Sequence, residues 1–137
     1  MTTWTRANRA SACAALLLTV AACTWRVERG ELRANPAYHA GQAIVDLNFE
    51  KLAACYDEYG PRMKVEFKDV TSLQVFPGAG KASIIFGDAY GIYGIVDLIQ
   101  LGPDKTQVRA YGTGTTQADE APAALEFLKT PPVVCSK

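Results

Sequence analysis

Residues 82–111 read ASIIFGDAYGIYGIVDLIQLGPDKTQVRAY, and this stretch decides the fold. It contains three segments of strand length, 82–87, 92–101 and 106–111. A glycine-rich link joins the first two, and Gly102-Pro103-Asp104-Lys105 turns the chain between the last two. The middle segment is the longest, is β-branched and apolar, and suits a central strand. In 106–111, Val108 and Ala110 face inward and Gln107, Arg109 and Tyr111 outward. Connections this short join neighbours, which makes the pairing antiparallel.

The same reading extends in both directions. Residues 63–68, MKVEFK, alternate strictly, with Met63, Val65 and Phe67 on one side and Lys64, Glu66 and Lys68 on the other, as in a half-buried strand. A short strand is expected at 72–76, followed by a turn over Pro77–Lys81. Upstream, Phe49, Leu52, Ala53 and Tyr56 recur at helical spacing in 48–59, with Cys55 bordering that face. Asn48 or Asp46 can cap this helix, and Gly60-Pro61 stops it. Downstream, 112–117 is a polar Gly/Thr loop. A second helix is expected over 119–129, with Ala121, Ala124, Leu125 and Leu128 as its buried stripe and Pro122 in its first turn. The order helix, strands, helix implies an α+β two-layer sandwich: an antiparallel sheet of four or five strands with two helices on one face. The other face is left solvated or used for binding.

The chain has 137 residues, enough for one domain. Its 14 Lys+Arg balance 14 Asp+Glu, which excludes a strongly basic nucleic-acid binder and an acidic disordered tail. One histidine, His39, leaves little for histidine metal sites or acid–base chemistry, and no cofactor is implied.

The first 22 residues stand apart from the domain. Arg6 and Arg9 are followed by an uncharged run, Ala10–Ala22, centred on Leu16, Leu17, Leu18 and Val20. A helix of that length spans about 20 Å, short of a bilayer core of about 30 Å. This is the layout of a secretory signal peptide. Its end, Val20-Ala21-Ala22-Cys23, resembles the lipobox of bacterial lipoproteins. That resemblance covers about the first 24 residues and implies cleavage before Cys23, with a diacyl group on its thiol. The other readings are an ordinary signal peptide cut after an alanine and an uncleaved signal anchor. By analogy with lipoprotein sorting, Thr24 in place of Asp implies the outer membrane, with the domain facing the periplasm. Two or three acyl chains hold a protein firmly to a membrane.

With Cys13 in the leader and Cys23 lipidated, Cys55 and Cys135 remain, and an oxidising compartment pairs them. Residues 23–42 are expected to be a lipidated tether, with 43–137 as the single globular domain. Trp25, with Arg26 and Arg29, rests at the headgroup level or packs on the domain.

The candidate chemistry is sparse. Gly80-Lys81 lacks the phosphate-loop pattern, because Val75 and Ala82 occupy positions that need Gly and Ser or Thr. Asp97 interrupts an apolar run, so it faces the solvated side of the sheet or pairs with Arg109. The most unusual stretch is Gly87–Gly94, in which glycines bracket Tyr90 and Tyr93 beside Asp88 at a hairpin tip. Asp88, Tyr90, Tyr93 and Arg109 are therefore the candidate binding residues, with no catalytic set. The resulting expectation is a non-catalytic, lipid-anchored binding or accessory domain with an envelope protein or cell-wall component as partner. The alternatives are an inhibitor of a cell-wall hydrolase such as lysozyme and an envelope enzyme.

Overall fold

The computed structural model describes residues 28–113 and 120–137. The expected leader, Cys23, Trp25 and most of the 112–117 loop lie outside the described residues. In chain order the elements are α1 (Arg29–Ala34), β1 (His39–Val45), α2 (Phe49–Tyr59), β2 (Lys64–Val65), β3 (Lys68–Asp69), β4 (Thr71–Phe76), β5 (Lys81–Asp88), β6 (Gly91–Gly102), β7 (Lys105–Gly112) and α3 (Glu120–Lys129). Short 3-10 turns occupy Pro36–Tyr38, Pro77–Ala79 and Val133–Ser136. The sheet is antiparallel and open, with five strands in the order β1-β7-β6-β5-β4. The fold is α+β, with α2 and α3 on one face, as the strand spacing implied.

The helix-covered face carries the main core. Leu52, Ala53 and Tyr56 of α2 and Ala124, Leu125 and Leu128 of α3 pack on Ile84, Phe86, Val96, Leu98 and Val108. The Tyr56 ring meets Phe86 and Phe127 edge-on, at centroid distances of 6.5 and 6.0 Å. Polar ties fix the ends of this layer. The Asn48 side chain accepts from the amides of Glu50 and Lys51 and caps α2. Its amide group also donates to the Pro103 carbonyl in the β6–β7 turn. Buried Thr106 donates to the Leu47 carbonyl at 2.7 Å. At two positions glycine allows the helix and sheet layers to approach closely. A Cβ on Gly94 would stand 3.0 Å from the Ala121 methyl of α3. Gly41 sits at a bulge in β1 with φ +149°, and a Cβ there would be 2.7 Å from Leu125 Cδ2. Cys55 of α2 is bonded to Cys135, closing a separation of 80 residues.

The structure departs from the sequence reading in two segments. The span expected to be a tether as far as residue 42 is folded from Arg29 onward. Helix α1 lies on the second face of the sheet, where fully buried Leu32 packs on Ile95 and Tyr111. Tyr111 points away from α2 and α3 as expected, yet α1 covers it and leaves it 7% exposed. The chain then enters the sheet as edge strand β1, paired along β7. Six residues do not hold a helix alone. The burial of Leu32 and the ion pair of Arg33 described below hold α1 in place.

The second departure is 63–68, expected to be one half-buried strand. Only Met63 is buried. The rest forms a two-stranded ribbon, β2–β3, that doubles back at Glu66 and Phe67 with φ of +50° and +68°. Left-handed backbone at a non-glycine residue costs about 1–2 kcal/mol each. The turn leaves Phe67 entirely in solvent. Because the chain reverses at 66–67, Met63, Val65 and Phe67 do not share one face, and only Met63 reaches the core.

Candidate functional site

The β5–β6 hairpin tip forms where the glycines placed it. Asp88 organises it. Its Oδ1 accepts from the Tyr90 amide at 2.7 Å, and both carboxylate oxygens accept from the Tyr93 hydroxyl at 3.0 Å. Desolvation, and then the bond to Asp88, raise the Tyr93 phenol above its ordinary range. Tyr90 is left 72% exposed. The tip therefore presents one free aromatic surface on a turn stiffened by a carboxylate. Asp88 is committed to that turn.

The structure does not bring Arg109 to this tip. Arg109 lies inside the sheet, in a polar row that crosses all five strands on the α1 face: Gln42, Arg109, Asp97, Ser83 and Gln74 are successive cross-strand partners. Asp97 is the centre of the row and is 3% exposed. The expectation that it faces solvent or pairs with Arg109 is corrected here, because Arg33 reaches it from α1. Arg33 Nε donates to Asp97 Oδ2 at 2.8 Å and its Nη2 to Oδ1 at 2.9 Å, a two-pronged pair. The Ser83 hydroxyl donates to Oδ1 at 2.7 Å, and Lys81 Nζ stands 4.0 Å from Oδ2. The bond to Asp97 raises the Arg33 guanidinium further despite its partial burial. At the far end of the row, Arg29 donates to Gln74 Oε1 at 3.3 Å.

Arg109 is thus opposite a carboxylate that another arginine has taken. Its Nε is enclosed and finds no hydrogen-bond partner among the described residues. Sequence reasoning selected Arg109 but missed Arg33, Ser83 and Gln42. The antiparallel register was the signal that could have aligned the last two with it.

His39 begins β1 with its ring edge-on to Tyr111 at 5.8 Å. Pro77–Lys81 is a hairpin turn, with Gly80 in the left-handed conformation. No group of three or more His, Cys, Asp or Glu side chains converges among the described residues. Comparisons of the chain with models of known families, with curated proteins and with solved structures find no match.

Proposed function

We propose that the protein is a lipid-anchored extracytoplasmic domain that holds a partner without catalysing a reaction. The observation that carries this reading is the division of the cysteines. Cys55 is bonded to Cys135, which leaves Cys23 at the end of Val20-Ala21-Ala22 free to take a lipid. The bond fits an oxidising compartment. The attachment is by acyl chains at Cys23, in an outer membrane and facing the periplasm. No helix among the described residues is long and apolar enough to cross a membrane.

Binding is favoured over catalysis by how the candidate groups are used. Asp88 and Asp97 are each tied into structural hydrogen bonds, whereas the Tyr90 ring remains exposed for contact. The partner is an envelope protein or a cell-wall component, gripped at the Tyr90 tip, at the Arg109 row or at both.

Crosslinking in intact cells, followed by capture of the full chain, tests this reading. The expected result is an envelope complex that Tyr90→Ala with Arg109→Ala weakens, together with an acylated Cys23 in the mass spectrum of the mature N-terminus. A complex indifferent to both substitutions refutes the assignment of the surface. Specific capture of a lysozyme would move the assignment to the hydrolase-inhibitor alternative.

A further inference from the structure

The described chain begins close to one edge of the sheet. Arg29, the first residue of α1, donates to Gln74 of β4, and β4 is an edge strand. Six residue steps separate Cys23 from Arg29, and a chain of that length spans at most about 21 Å. An acyl group on Cys23 therefore keeps the start of α1, whose Arg29 reaches the β4 edge, within about 21 Å of the bilayer. The opposite edge, β1, lies four strand spacings away, about 19 Å.

The segment next to that edge has the surface chemistry of a membrane interface. Phe67 is wholly exposed at the tip of the β2–β3 hairpin, and Val75 and Phe76 of β4 are 41% and 46% exposed. Lys64 and Lys68 flank Phe67, and neither is in an ion pair among the described residues. Asp69 shares Arg62 with Asp57, so the charges of 64–69 cancel, with the two lysines standing on either side of the ring. The left-handed pair Glu66 and Phe67 closes a two-residue hairpin, and it places the phenyl ring in water, where nothing in the described fold covers it. An aromatic tip between lysines is rewarded at an anionic headgroup layer.

We propose that the β2–β3 hairpin inserts Phe67 into the interfacial layer of the bilayer that carries the Cys23 lipid, with the β4 edge toward the membrane and the β1 edge away from it. This orientation rests on the lipid-anchor reading. The test uses the acylated full-length product in vesicles of phosphatidylcholine and phosphatidylglycerol with brominated acyl chains. Trp25→Phe removes the mature chain's native indole, and a reporter is added as Phe67→Trp or, on the far edge, as Ile44→Trp, a site already 64% exposed. At an insertion depth of roughly 5–10 Å, Phe67→Trp should lose about half its emission to the bromines and shift to the blue, while Ile44→Trp stays unchanged. An unquenched Phe67→Trp on an acylated, vesicle-bound chain overturns the orientation alone, as does equal quenching at the two sites. A chain with unmodified Cys23 overturns the anchor reading and the orientation together.

Discussion

Replacing Arg33 by Met keeps most of its aliphatic stem and removes the two charged donors on Asp97. The cost follows from unequal exposure: the Asp97 side chain is 4% exposed and that of Arg33 31%. Breaking a fully buried pair costs about 3–5 kcal/mol, because a charge is stranded away from water. Here the stranded carboxylate keeps the Ser83 hydroxyl and a Lys81 ammonium at 4.0 Å, so we expect a loss of about 2–3 kcal/mol. Asp97→Asn strands an arginine that can still reach solvent and should cost about 1–2 kcal/mol. The double variant should then fall short of additivity by about 1.5 kcal/mol. Arg109 adds a second check. Standing opposite Asp97 in register, it can take over the carboxylate once Arg33 is gone. Arg109→Met alone should change stability by less than about 0.5 kcal/mol, and by about 1 kcal/mol in the Arg33→Met background. Urea unfolding at neutral pH, followed by circular dichroism with the disulfide intact, measures all of these. A coupling between Arg33 and Asp97 below about 0.5 kcal/mol would refute the reasoning, since a pair that close and that dry cannot be independent.

Other expectations are simpler to state. Leu32→Ala should destabilise by about 2–4 kcal/mol, because its side chain is fully buried against Ile95 and Tyr111; an effect near zero would mean that 29–34 is not docked. Cys55→Ser with Cys135→Ser opens a loop of 80 residues and should cost about 4.5 kcal/mol on the chain-entropy model, read as a fall in melting temperature of order 20 °C. A shift of only a degree or two would show that the staple adds little. Burial raises the Tyr56 phenol, partly offset by Arg62, and its hydroxyl donates to the Pro61 carbonyl. The neutral form is thus favoured in the fold, so its contribution is complete below about pH 10 and is lost as pH climbs toward the raised folded value. Tyr56→Phe should cost about 1 kcal/mol at neutral pH and flatten the alkaline decline. An unchanged slope of stability against pH above 10 would count against that assignment.

The meander from β4 to β7 was legible because each strand carries its own local evidence, an apolar β-branched run or an alternation, and each turn announces itself with glycine or proline. The hairpin tip was legible for the same local reason, down to the grouping of Asp88 with its tyrosines. What stayed hidden depends on distant partners. Strand β1 reads HAGQAIV, with small residues and a glycine where a strand usually shows β-branched ones. Helix α1 buries one apolar side chain, too few to make a stripe. The 63–68 segment shows the opposite failure, since its strict alternation reads as one strand whereas the chain doubles back at Glu66 and Phe67. Asp97 stands across from Arg109 in register, yet the partner its carboxylate takes, Arg33, lies 64 positions earlier in the chain. No rule of spacing within one strand pair could have supplied it.

The position of β1 at the end of the strand order has a consequence in time. Its residues meet β7 across separations running from 61 positions, for Val45 with Thr106, to 72, for His39 with Tyr111. A polypeptide that emerges amino end first must therefore keep this strand, with the helix before it, waiting until nearly all the rest has appeared. The central hairpins can zip as soon as they are free, each with its partner a few positions away. Maturation should accordingly run from the middle of the sequence outward, with the earliest-made strand arriving last.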